Sequence, residues 1–186
     1  MDILSDNALM LKVKSGDLDK MALLFTRYHR ALYGFLFHMT GRQEQSEDMV
    51  QDVFYRMLRS RHTFTGEGEF KTWMYHLARN IIKDYYRKNS RTGTHYEAEI
   101  FTEKLSVNAQ AEEAMQKKME LKQLREAINN LDEQSREVLV LSRYQELKYN
   151  EIAQILGITE GAVKVRIHRA VNQLKSLYKS PDTKIA

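Results

Sequence analysis

Apolar residues recur at helical spacing along most of this chain, and the places where the recurrence breaks mark its joints. Residues 6–14 predict a short helix ended by Ser15 and Gly16. Residues 18–40 predict a longer helix that buries Met21, Leu24, Phe25, Tyr28, Leu32, Phe35, Leu36 and Met39, with Gly41 placed as its C-terminal cap. A third helix over 44–60 carries Val50, Val53, Phe54, Met57 and Leu58 as one apolar stripe. The run TFTGEGE then reads as a glycine-containing loop, and a fourth helix follows over 70–88. Residues 89–110 are polar, mixed in charge and without helical period, which predicts a linker. The pattern returns at 111, with helices expected over 111–131, 132–145, 149–156 and 160–178. The expected fold class is all-α: two small helical domains, 1–90 and 115–180, joined by a flexible linker, 91–114, with a tail at 181–186.

Composition supports that reading and narrows the setting. The 186 residues are 42% hydrophobic, enough for two small cores, while a single proline and eight glycines are few for a strand-and-turn fold. The absence of cysteine excludes disulfides and thiolate metal sites. No apolar run approaches the roughly 20 residues of a membrane span, and MDILSDNALM lacks the basic start and apolar block of a signal peptide. A cytoplasmic protein without direct membrane insertion is expected. Net charge is only +4, but it is sorted along the chain. Segment 44–55 carries four acids and no base, 71–91 carries six bases against one acid, and 160–179 five bases against one acid. Two basic blocks suggest two contacts with nucleic-acid phosphate, and the acidic block a different partner.

The most specific stretch is YNEIAQILGITEGAVKVRIHRAVNQL, residues 149–174. Ile152, Ala153, Ile155 and Leu156 form the inner face of one helix, Gly157 permits a sharp turn, Ile158 plugs it, and Thr159 caps the next helix. Val163, Ile167, Ala170, Val171 and Leu174 then face inward, which is helix-turn-helix spacing. Lys164, Arg166, His168 and Arg169 point outward near the start of the second helix, the part that enters a major groove. This stretch resembles region 4 of bacterial sigma factors, which reads the −35 promoter element. The family pattern L-P-x-x-x-R-E-V stands here as Leu131 to Val138, with Asp132 in place of proline; Asp also caps a helix. The resemblance implies −35 contacts from Gly161, Lys164, Val165, Arg166, His168 and Arg169. Val165 stands where the family often has serine, so a methyl contact to thymine can replace a polar one.

The N-terminal half carries two further resemblances. SEDMVQDVFYRML, residues 46–58, is similar to region 2.2, which docks on the coiled coil of the largest RNA polymerase subunit; the implied docking residues are Asp48, Gln51, Asp52, Phe54 and Tyr55. Asp48 and Asp52 are like charges one turn apart, a cost that a basic partner surface would offset; within the chain, Asp52 can instead pair with Arg56. Residues 64–88 are similar to regions 2.3 and 2.4, which open and read the −10 element. Capturing unstacked bases needs aromatic faces and phosphate-binding cations, and the segment alternates both. The resemblance and this chemistry point to Phe64, Thr65, Gly66, Phe70, Arg79, Asn80, Lys83 and Arg87, with Trp73 and Leu77 read as core. Order and spacing match the extracytoplasmic-function (ECF) group, the smallest sigma factors. Membership implies core RNA polymerase (coiled coil and flap), promoter DNA and an anti-sigma factor as partners, and no small-molecule substrate.

No catalytic constellation stands beside these motifs. The histidines are scattered without an i, i+3 or i, i+4 pair, Gly66-Glu67-Gly68 is not followed by the residues of a phosphate loop, and His95-x-Glu97 lacks the cysteines of a deaminase. No enzyme, cofactor or metal is expected. Two other readings stay open at this point: an autonomous helix-turn-helix regulator with an N-terminal interaction domain, and a sigma mimic that titrates a partner. The linker could extend roughly 70 Å at ~3.3 Å per residue. That exceeds the roughly 55 Å between duplex sites some sixteen base pairs apart.

Overall fold

The structure, a computed structural model, describes residues 4–92 and 111–178. Among them the chain forms α1 (Asp6–Lys14), α2 (Lys20–Thr40), α3 (Gln43–Arg59), a 3₁₀ turn (Arg61–Thr63), α4 (Phe70–Thr92), α5 (Ala111–Asn129), α6 (Glu133–Leu139), α7 (Tyr149–Leu156) and α8 (Glu160–Leu177). The described residues contain no strand. Helix α4 runs two residues past position 90 and α5 begins before 115, so helix enters both ends of the expected 91–114 linker. Residues 93–110 and the 181–186 tail, and with them the tether reading, lie outside the described residues.

Local chemistry explains most helix ends. Ser5 accepts from the Ala8 N–H at 3.2 Å and starts α1. Gly41, at φ 71°, turns into the left-handed region and closes α2 by donating to the Phe37 carbonyl at 2.8 Å. Asp132 accepts from the Ser135 N–H at 2.9 Å, so it caps α6 as expected of it. Helix α6 then widens into a π turn over Val140–Tyr144, and Glu146 adopts φ 52° just beyond it. Such turns are uncommon and shift the register of the side chains that follow. Here the shift places Tyr144 and Gln145 against α2 and α4, where both make contacts described below.

The core is continuous through both halves. Leu24, Leu32, Phe35 and Leu36 of α2 meet Met49, Val53 and Met57 of α3 and Met74, Ala78, Ile81 and Ile82 of α4, all buried. In the C-terminal half Val138, Leu141, Ile152, Ile155, Val163, Ile167 and Ala170 do the same. Fully burying one such large apolar side chain contributes about 1.5–3 kcal/mol. Two expectations about the core need correction. Phe25 remains 42% exposed, because it faces the edge of α3 rather than the centre, and Trp73 and Leu77 are only partly buried. Met74 and Tyr75 occupy the central positions of α4 instead. Arg56 does not pair with Asp52; its Nη2 donates to Asp84 Oδ2 of α4 at 2.8 Å. That hydrogen bond holds the Asp84 carboxyl below the usual carboxylate range.

The turn between α7 and α8 gives a direct test of these local rules. Gly157 sits at φ 68° with nothing within 4 Å of where a Cβ would stand, so a substitution there meets backbone strain alone. Gly157→Ala should lower stability by about 1–2 kcal/mol, the cost of a left-handed L-residue, read as a lower urea midpoint with unchanged slope. An unchanged midpoint would contradict the assigned turn.

Candidate nucleic-acid interface and its closure

Helices α7 and α8 form the expected helix-turn-helix. Thr159 Oγ1 accepts from the Ala162 N–H at 3.2 Å, and the Gly157 N–H reaches the carbonyls of Ala153 and Gln154. With Val163, Ile167 and Ala170 turned inward, helical geometry puts Gly161, Val165, His168 and Arg169 on the outward face. All four are exposed; Lys164, also exposed, and the half-buried Arg166 flank them on either side. Val165 is an apolar side chain half open to solvent in the middle of this cationic face.

On α4 the exposed stripe is His76, Asn80, Lys83 and Arg87, spaced at i, i+4, i+7 and i+11. Arg87 reaches Asp84 at 2.9 Å but remains open to solvent. Thr65 is exposed and Gly66, at φ 80°, half exposed in the loop before α4. The phenylalanines assigned to this surface are not on it. Phe64 and Phe70 are 3% and 1% exposed, packed with Trp73 and Tyr28, and neither ring is open to a base. Their burial is driven by the same apolar area that suggested stacking, since a ring serves either use.

On α3 the acidic face is open. Glu44, Asp48, Gln51, Asp52 and Tyr55 are exposed, Tyr55 to 62%. Neither Asp48 nor Asp52 forms an ion pair among the described residues. Phe54 is the exception among the assigned docking residues: it is 6% exposed and its ring meets Phe25 at 4.9 Å, so it supports the helix from inside.

The two halves are closed against each other, and the closure uses one of the assigned DNA-binding residues. Arg79 donates from Nε to Glu137 Oε1 at 2.6 Å and from Nη2 to Oε2 at 3.2 Å. Its Nη1 donates to the Ile155 carbonyl, in the last turn of α7, at 2.5 Å. Both side chains are largely shielded, at 16% and 14% exposure. Around this pair, the Tyr75 hydroxyl donates to Gln145 Oε1 at 2.7 Å, and Arg136 Nη1 to the Met39 carbonyl at 3.1 Å, which also accepts from the Tyr86 hydroxyl. The rings of His38 and Tyr144 lie 4.0 Å apart. Burial pushes the phenols of Tyr75, Tyr86 and Tyr144 upward, and Tyr75 and Tyr86 donate as neutral hydroxyls.

The comparisons with known proteins divide the chain at the same place. A family model described as Sigma-70 region 2 matches residues 24–92, and one described as Sigma-70, region 4 matches residues 121–174. The chain is 31% identical over 165 residues to RNA polymerase sigma factor YlaC of Bacillus subtilis, covering 84% of this chain and 91% of that protein. The chain belongs to the sigma-70 family. It is a factor of the ECF group: it is also 31% identical over 156 residues to ECF RNA polymerase sigma factor SigX of Bacillus subtilis, covering 82% of this chain and 80% of that protein. The fold resembles that of CnrH, solved in complex with the cytosolic domain of CnrY, with a TM-score of 0.71 at 24% identity over 97% of this chain and 99% of that one.

Sequence reasoning missed the residues that close this sigma factor: Tyr75, Glu137 and Gln145, together with His38. No local signal marks them, since their partners lie 58 or more positions away. His38 makes the closure sensitive to pH. Burial, with Arg125 adding repulsion, pushes its imidazole down to about 4 from an ordinary 6.5. The unfolded or opened chain binds a proton near 6.5 while the closed one does not until about 4. The contribution of neutral His38 is therefore complete above 6.5 and lost as pH falls between those values. The ring should titrate below pH 5 by NMR, and His38→Gln should flatten the pH dependence of stability across that window. An imidazole titrating near 6.5 would contradict its burial.

Proposed function

We propose that this sigma factor binds core RNA polymerase through α3, places α8 at the −35 element, and opens the −10 duplex with α4 and the 64–69 loop. The observation that carries the reading is the sorting of faces on one small molecule. An exposed acidic helix with an uncovered tyrosine stands apart from two exposed cationic helix faces. In this reading domain 1–90 is region 2 and domain 115–180 is region 4. Asp48, Gln51, Asp52 and Tyr55 meet the coiled coil of the largest polymerase subunit, with Phe54 holding the helix from behind; region 4 approaches the flap. Gly161, Lys164, Val165, Arg166, His168 and Arg169 face the −35 groove, where arginine pairs with guanine and lysine holds phosphate. Thr65, Gly66 and Asn80 face the unstacked base, and Arg79, Lys83 and Arg87 the backbone. The factor works by binding and carries out no bond-making of its own, in the cytoplasm where polymerase works.

The closed arrangement fits a factor held in reserve. Arg79 cannot hold DNA while it is bound to Glu137 and Ile155. A cleft of about 960 Å³ between the halves, lined by Phe25, His29 and Tyr33 of α2, Glu47 of α3, Leu124 of α5 and Tyr144, suits a segment of an anti-sigma partner. A chain lodged there would touch both domains and keep them together.

Two results test the reading. Asp52→Lys combined with Gln51→Ala should abolish co-purification with core polymerase while leaving helix content unchanged; retained binding would remove α3 from the docking role. Glu137→Gln leaves the shielded Arg79 without its carboxylate, a loss of roughly 3–5 kcal/mol for a buried pair, and so favours the open form. It should raise promoter-dependent transcription at limiting sigma factor. Arg79→Ala should open the chain equally and lower transcription. If Arg79→Ala also raises transcription, Arg79 has no role on DNA; if Glu137→Gln lowers it, the closure does not restrain the factor.

A further inference from the structure

We infer that Asn7 of α1 sets the shape of the 64–69 loop and so acts as a positioning residue for base choice at the −10 element. The family model for region 2 begins at residue 24, and α1 lies outside it. Yet α1 is bound tightly on both sides. Leu9, Met10 and Val13 are fully buried, and Asp6 pairs with Arg27 at 2.5 Å and accepts from the Tyr28 hydroxyl. Its other flank faces the loop. The Asn7 amide donates from Nδ2 to the Gly68 carbonyl at 2.8 Å and to the Gly66 carbonyl at 3.4 Å. Its Oδ1 accepts from the Phe70 N–H at 2.8 Å, supplying the cap of α4 from 63 positions away.

Two neighbours complete the cradle. Lys14 Nζ donates to the Phe64 carbonyl at 2.6 Å, fixing the other end of the loop. A Cβ on Gly66 would stand 3.2 Å from Leu11 Cδ1, so α1 also presses on the loop's midpoint. A loop of TGEG composition has little stiffness of its own, because glycine leaves the backbone free to take many conformations. Its carbonyls are aimed by α1, and Thr65 and Gly66 are thereby held in one presentation. The asparagine does two separable jobs: the oxygen caps α4, and the amide hydrogens orient the loop.

The inference rests on the proposed reading of the loop as the −10 reader, and the test separates the two. Holoenzyme assembled from core polymerase and the full chain is run on a promoter library randomised across the −10 element, with a −35 library as internal control. Asn7→Asp keeps the acceptor for Phe70 and loses both donors to Gly66 and Gly68. With helix content unchanged, it should lower the preference for the favoured −10 base about fivefold, the ratio one net hydrogen bond supports, with −35 preference unchanged. Asn7→Ala should show the same relaxation with a lower midpoint. Replacement of residues 65–68 is the third arm. A loop replacement that alters −10 preference while Asn7→Asp leaves it at the parental ratio overturns the role of Asn7. A loop replacement that alters nothing overturns the loop as reader, and the role of Asn7 with it.

Discussion

The arrangement of this molecule depends on one guanidinium. A shielded cation needs a full set of acceptors, because desolvation without partners costs more than any single contact returns. Arg79 finds its acceptors only across the domain boundary, two on Glu137 and one on the carbonyl end of α7. The last turn of a helix is a favourable place for a cation, since its free carbonyls carry the negative end of the helix dipole. Satisfying Arg79 therefore fixes α4 against α6 and α7 together. The neighbouring bonds from Tyr75 and Arg136 and the His38–Tyr144 ring pair close the same boundary beside it, over an apolar core continuous through both halves.

The same bond divides the two cationic helix faces unequally. The outward face of α8 is open in the closed molecule, with Val165, His168 and Arg169 in solvent. On α4 the stripe of Asn80, Lys83 and Arg87 is open, but the cation beside it is engaged. In the proposed reading, the helix that grips the displaced strand has part of its charge committed to the protein itself. In that reading opening is an exchange of partners: phosphate would replace Glu137 only if binding to polymerase and DNA is more favourable than the closure it disrupts.

Much of this was legible from the chain. The helix-turn-helix was readable because its determinants are local: Gly157 and Thr159 act on residues within a few positions, and the apolar period of α8 has a single inward face. The ends of α1 and α2 followed for the same reason. The aromatic residues were less legible. Phe54, Phe64 and Phe70 fit a docking or stacking role by chemistry, but they also fit a core, and only three-dimensional neighbours decide between these. The closure was not legible at all. Arg79 reads as a phosphate ligand and Glu137 as part of a family pattern, and nothing in their spacing pairs them across 58 positions. Asn7 was invisible for the same reason, since each of its partners is 59 or more residues away.

In the free factor, then, the Arg79–Glu137 bond holds the two DNA-reading domains together, and the distance between them reports it. The chain has no cysteine, so a pair of introduced cysteines at the exposed positions Arg59 and Lys175 can carry spin labels without background. Pulsed electron resonance then gives the distance between region 2 and region 4 directly. The account predicts one narrow, short distance in the free chain, which broadens and lengthens when Glu137→Gln is added and lengthens to a new narrow value on core polymerase. A free chain already as broad as the Glu137→Gln variant, or a distance unmoved by that substitution, would contradict it.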